Sequence, residues 1–236
     1  VMTMLSSSTV RISRYSTAGG AGAGSGVAMP ARIRDRCRRD TCTVIFAPPL
    51  SAAVLLRRRQ RFFADVRDAS GREFTALCPN TGRILGCAAP GTTVWLSRSD
   101  AAQRKLAHTW ELSATAQALV GVHPGRANAL VAEAIDAGVI GELAGYALRR
   151  GEVRYGERSR IDWLLQQPQR ADCYVEVKSV TALDEHGLAF FPDAVSARGA
   201  RHMHELAAMV AQGARAVVLF CVQRGDALAL RAADEI

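Results

Sequence analysis

No stretch of this chain approaches the 18 or more consecutive apolar residues that a membrane-spanning helix needs. The six cysteines, Cys37, Cys42, Cys78, Cys87, Cys173 and Cys221, form no Cys-x-x-Cys pair, and no histidine stands at zinc-finger spacing. The common structural zinc sites are thereby excluded. Cys173 and Cys221 fall inside apolar, strand-like runs and are expected to be buried thiols, which fits a reduced, cytoplasmic compartment. Residues 1–45 have few acids and no hydrophobic periodicity. They are rich in Ser, Arg, Ala and Gly, with a glycine-dominated run at 19–26, and disorder is the physical expectation. Two origins fit this composition. One is a transit peptide that would direct the protein to an organelle, and the other is upstream sequence read from a misplaced start.

What is present is positive charge. The 236 residues carry a formal net charge of +8, which suggests an anionic partner. Residues 1–50 hold seven Arg and two Asp, so five of those eight charges lie there and the remainder is only mildly basic. Such a domain binds nucleic acid only where its charges cluster. The best cluster is Arg57, Arg58, Arg59 and Arg61, beside Phe62 and Phe63. Its arginines would neutralise phosphates and an exposed aromatic would stack on a base. The competing reading is a solvated strand edge with both phenylalanines in the core.

Residues 51–122 read as about five short strands separated by Gly- and Pro-bearing turns, which suits a small barrel. Cys78-Pro79-Asn80-Thr81-Gly82 is a tight loop, either a structural turn or a place where Asn80 and backbone amides touch phosphate. His108-Thr109-Trp110-Glu111 is either a ligand patch or the site where Trp110 packs between domains. A helix is expected from Pro124 to Gly138 with Leu130, Val131, Ala134 and Ile135 as its stripe. A second is expected from Ala194 or Ser196 to Gln212, with Met203, Leu206, Ala207 and Val210 buried and its histidines, His202 and His204, solvated. The apolar run 214–222 reads as a central strand, parallel to a neighbour after the helical crossover.

The most informative stretch runs from Gly151 to Val180. Two strand-like arms flank a turn containing Pro168. Residues two apart on a strand share a face, so Tyr174, Glu176 and Lys178 point one way and Cys173, Val175 and Val177 the other. Asp162, between Ile161 and Trp163, is expected to point away from the side those two share. Paired as a hairpin, the arms bring Asp162 near Glu176 and Lys178. Two carboxylates and an ammonium suit phosphodiester hydrolysis: the carboxylates hold a hard cation such as Mg²⁺, with Mn²⁺ as substitute, and the lysine orients water or offsets developing charge. The same triplet also fits an ordinary hairpin with a surface ion pair.

Several separated motifs occur together and in order: Cys78-Pro79-Asn80-Thr81-Gly82, His108-Thr109-Trp110-Glu111-Leu112, Glu142-Leu143-Ala144-Gly145-Tyr146, Arg158-Ser159-Arg160-Ile161-Asp162, Tyr174-Val175-Glu176-Val177-Lys178 and Arg198-Gly199 followed by His202. With them, residues 46–236 resemble the SfsA family, the sugar fermentation stimulation proteins. The resemblance implies an α/β (α+β) fold. A small OB-like β-barrel at 46–122 precedes an α/β domain with a mixed sheet at 123–236, like that of the PD-(D/E)xK nucleases. It implies DNA binding linked to regulation of sugar, notably maltose, metabolism. The site would comprise Asp162, Glu176 and Lys178, with Glu133 added from the first helix and Asp162, Glu176 and Glu133 as Mg²⁺ ligands. Asn80, Arg160, Arg198 and Arg201 join the arginine cluster as DNA contacts. Family members are expected to begin near the counterpart of Phe46 and to run past that of Ile236.

Three functional classes stay open. One is a metal-dependent DNA endonuclease, and another is a regulatory DNA-binding protein that is silent in catalysis. The third is a non-nucleic-acid enzyme or small-molecule-responsive regulator on the same scaffold. No helix-turn-helix with a basic recognition helix stands out, so contacts to the DNA backbone are expected over base readout. Assembly as a homodimer is likewise open.

Overall fold

The computed structural model describes residues 3–4, 10–11, 46–192 and 197–233. Apart from two dipeptide strands, the expected disorder of 1–45 lies outside the described residues, as do Cys37, Cys42 and the start expected for the second helix.

Alternation builds the barrel. In β3 (Ser51–Arg59) Ala53 and Leu55 point inward while Val54 stays exposed. They meet Ala64 and Val66 of β4 (Phe63–Asp68), Ala76 of β5 (Glu73–Leu77), Val94 and Leu96 of β6 (Thr93–Arg98) and Trp110 of β7 (His108–Ala114) in one core. The strands run in the order β5-β4-β3-β6-β7, and a parallel contact between Leu77 and Thr109 closes the ring. The short strand β8 (Leu119–Gly121) lies on β7. Gln60 and Arg61 turn β3 into β4, both with positive φ, the geometry that matches a hairpin's twist. Residues 108–112, read as a ligand patch or a domain contact, belong to a full barrel strand.

The second domain is a sheet with a helix on each face. Strands β9 (Leu148–Tyr155), β10 (Ser159–Gln167) and β11 (Arg170–Val180) are antiparallel neighbours, and β13 (Arg215–Val222) lies parallel to β11. Strands β1 (Thr3–Met4) and β2 (Val10–Arg11) pair in parallel with β13. Strands β12 (Leu188–Phe191) and β14 (Ala229–Ala232) form a small parallel pair beside it. Helix α1 (Pro124–Asp136) begins with Pro124 in its first turn, and the side chain of His123 accepts a hydrogen bond from the Gly125 amide. It buries Ala127, Leu130, Val131 and Ala134 against Leu165, Cys173, Val175 and Val177. Helix α2 (Ala197–Ala211) covers the opposite face, where Leu206 meets Tyr155, Ile161, Leu164 and Val218. Ala207 is exposed and His202 is buried in its place, so α2 is rotated from the stripe read in the sequence.

The domains meet along β7. Trp110 does not pack between them: it is fully buried in the barrel core and donates its indole N–H to the Leu112 carbonyl. A strand alternates, so with Trp110 inward Glu111 faces outward toward the second domain. There Glu111, itself buried, accepts from Arg126 of α1 at 2.9 and 2.7 Å and from the Ser97 hydroxyl at 2.8 Å. Arg224, two residues past the end of β13, donates to the Thr181 carbonyl and forms an isolated β-bridge with Val120 of the barrel.

Arg126→Ala strands the Glu111 carboxylate in a buried position. A loss of about 2 kcal/mol is expected in urea unfolding. Adding Glu111→Gln is expected to recover most of it, because the charge that lacked a partner is gone.

Candidate functional site

The hairpin of β10 and β11 forms, with Trp163 opposite Val175 and Leu164 opposite Tyr174, but the first arm, read as one strand from Gly151, is two antiparallel strands, β9 and β10, that turn at Gly156. The faces of β11 are also as read: Val175 and Val177 belong to the α1 side, and Tyr174 and Glu176 to the α2 side. The reading of β10 needs correction. Ile161 packs on the α2 side with Leu164, whereas Trp163 packs on the α1 side. The two-residue alternation is therefore broken at Asp162. Its carboxylate takes one hydrogen bond that the ladder gives up, Oδ2 accepting from the Val177 amide at 2.7 Å, and Oδ1 accepts from the Asn128 side chain on α1 at 2.8 Å. Burial raises the Asp162 pKa above the ordinary carboxylate value and the nearby Glu176 charge adds to this. The Val177 amide, Asn128 and Lys178 pull the other way.

Glu176 is 4% exposed. Its Oε1 accepts from Lys178 Nζ and from His202 Nδ1, both at 2.7 Å. Its Oε2 is buried with no partner among the protein atoms. Three more buried polar atoms lack partners in the same region: Tyr155 OH, Ser159 Oγ opposite it across the β9–β10 ladder, and Oε2 of Glu205. The Glu205 carboxyl lies where a Cβ on Gly156 would clash with it. Burial, then the charges of Glu176, Glu205 and Asp162, push the Tyr155 pKa far above its usual value.

The structure brings Asp162, Glu176 and Lys178 together, and it does not bring Glu133 to them. Glu133 is exposed. Five residues along α1 from Asn128, it projects about 140° around the helix from the residue that reaches Asp162. Among the described residues, no three His, Cys, Asp or Glu side chains are arranged around a common metal position. A pair of carboxylates with an orphaned, buried oxygen still fits a hard cation that keeps several waters, as Mg²⁺ does. Sequence reading missed His202, Asn128, Tyr155 and Glu205. The signal for His202 was its position four residues before Leu206, which puts both on one helix face.

The proposed DNA contacts divide into two groups. Arg57 and Arg59 both bind Asp65, at 2.8 and 2.7 Å, and hold its carboxyl well below the ordinary range. Arg58 donates to the carbonyls of Asn80, Arg61 and Gly82. Asn80 is buried, and its Oδ1 accepts from the Gly82 amide at 2.8 Å, which makes this loop a structural turn. Arg61, Arg160, Arg198 and Arg201 are exposed. Arg160 pairs across the ladder with Arg154, also exposed. Phe62 is not in the core but 50% exposed, and Phe63 is half-buried under Arg59.

The raised pKa of Asp162 has a stability consequence. The unfolded chain releases this proton near pH 4, before the folded chain does. Stability is therefore lost as pH rises from there through the folded-state pKa. Asp162→Asn removes that penalty. The variant is expected to gain stability over the parent above about pH 4 and to lose the advantage in acid, as followed by urea midpoints across pH.

With this geometry in view, similarity to known proteins can be weighed. Residues 56–122 match the family model described as the SfsA N-terminal OB domain, and residues 125–236 match that of the sugar fermentation stimulation protein RE domain. A sugar fermentation stimulation protein homolog of Thioalkalivibrio sulfidiphilus is 56% identical over 192 residues, which is 81% of each chain. One from Halorhodospira halophila is 54% identical over 195 residues, again 81% of each. The solved SfsA of Pyrococcus furiosus, in complex with Ca²⁺, superposes with a TM-score of 0.71 at 28% identity, over 80% of this chain and 79% of that one. An OB barrel followed by an α/β domain, matched along both halves at this level of identity, places the chain in the family of sugar fermentation stimulation proteins, SfsA.

Proposed function

We propose that this protein binds DNA through its phosphate backbone and holds a divalent cation at Asp162 and Glu176, forming a phosphodiesterase site like that of the PD-(D/E)xK nucleases. The observation that carries this is the Glu176 carboxylate: buried, fixed through Oε1, and with Oε2 lacking a protein partner beside a second carboxylate. Burying a charged oxygen without a partner costs several kcal/mol, and a bound cation removes that cost. The Ca²⁺ in the P. furiosus relative supports the same chemistry here. A divalent ion bound there supplies Lewis-acid polarisation of a phosphoryl oxygen and a more acidic water. Lys178, in reach of Glu176, offsets the charge that develops on the phosphate. Exposed Arg154, Arg160, Arg198 and Arg201 track the backbone. The physiological setting we infer from the family resemblance is regulation of sugar metabolism, maltose included.

One observation favours a second reading, DNA binding without cleavage. Lys178 Nζ is spent on Glu176, and among the described residues no third acid joins the pair.

The full chain with labelled DNA and Mg²⁺ or Mn²⁺ is expected to cleave it. Asp162→Ala and Lys178→Ala should each slow cleavage by about 100-fold or more and leave binding intact. Binding without cleavage in every protein would establish the second reading. Duplex affinity should fall steeply with salt, by about 0.9 log units per log salt for each phosphate contacted, and a flat response overturns DNA binding itself.

A further inference from the structure

Glu176 is held by two donors of different character. Lys178 stands two residues away on the same strand, at the end of a long flexible stem, and moves with β11. His202 comes from outside that strand. Its imidazole has only two side-chain torsions, it is 5% exposed, and it sits on α2 one turn before Leu206, which is fully buried against the sheet. A carboxylate only accepts hydrogen bonds, so the proton of the 2.7 Å contact belongs to His202 Nδ1. The glutamate has three torsions of its own, and an anchor on a second packed element fixes them. With Oε1 occupied from two directions, Oε2 is the oxygen left over, and it is the one without a partner.

We propose that His202 is a positioning residue of the cation site: Nδ1–H pins Oε1 of Glu176, so that Oε2 is presented to a hard divalent cation together with Asp162. This rests on the cation-site reading given above. The logic is that of outer-shell groups in metal sites, which orient a ligand without touching the metal and whose loss weakens metal binding by about ten- to a hundredfold. A histidine that merely filled the core would stabilise α2 without affecting the cation.

Calorimetric titration of the full chain with Ca²⁺ and with Mn²⁺ separates these roles and needs no catalytic readout. The wild type is expected to bind and Glu176→Gln to lose binding. His202→Ala should bind about ten- to a hundredfold more weakly. His202→Asn, whose side-chain amide restores a donor near the Nδ1 position, should recover most of the loss. Met203→Ala, which trims an apolar contact on the same helix, should lower stability in urea and leave cation affinity unchanged. His202→Ala binding like wild type while Glu176→Gln fails would overturn the inference and leave the cation site standing. Equal weakening by His202→Ala and Met203→Ala would overturn it as well. A wild type as inert as Glu176→Gln would overturn both readings.

Discussion

A carboxylate in the middle of a covered sheet is the constraint on which the second domain is arranged. Glu176 lies on β11 between two strands, with α2 above it. Burial of an ionised carboxylate is affordable only if other groups replace its water. Two elements do so for one oxygen, β11 itself through Lys178 and α2 through His202, and the packing of Leu206 keeps α2 in place. The other oxygen has been left without such a group. A fold that spends a buried histidine and a nearly buried lysine on half of a carboxylate is organised around what the other half does.

The same logic explains the irregularity in β10. A regular ladder beside Glu176 would have carried the side chains of Ile161 and Trp163 on one face. Instead the strand shifts at Asp162, Ile161 turns to the α2 core and Trp163 to the α1 core. Breaking a ladder costs hydrogen bonds, and here the aspartate supplies the missing acceptor for the Val177 amide. Asn128 of α1 fixes its second oxygen. The two acids are thus anchored by opposite helices, Asp162 by α1 and Glu176 by α2. The site lies where the sheet's two covering layers meet its irregular strand, and its geometry follows from how both helices pack.

This also decides what was legible in the sequence. The barrel, the hairpin, the faces of β11 and the parallel β13 followed from alternation and turn chemistry, because those signals are local. The kink at Asp162 was not legible, since a pattern of residue types cannot reveal which side chain will replace a ladder bond. Glu133 was carried over from a family resemblance and not from its place on the helix, and the rotation of α1 puts Asn128 in its stead. His202 read as solvated because histidine on a helix usually is. Its spacing to Leu206 was the contrary signal, and it became decisive only once α2 was seen to be rotated away from Ala207. Trp110 turns into the barrel core and Glu111 toward the second domain: the period of two says that they diverge, but not which of them faces the barrel.

Charge is distributed in a way that composition conceals. The densest arginine run, residues 57–61, looked like the phosphate-binding surface, yet Asp65 pairs with two of its members and Arg58 is consumed in shaping the loop at Asn80. An arginine already paired in a fork with a carboxylate must break that pair before it can meet a phosphate, so its contribution to DNA affinity is the difference between two similar interactions. Arg154 and Arg160, side by side on the edge strand β9 and its neighbour β10, are exposed. Their mutual repulsion favours an anionic partner. Backbone binding is therefore better supported by the α/β domain, close to the acids, than by the barrel. On the proposed DNA-binding reading, the barrel's exposed Phe62 would add stacking on bases where a strand is unpaired.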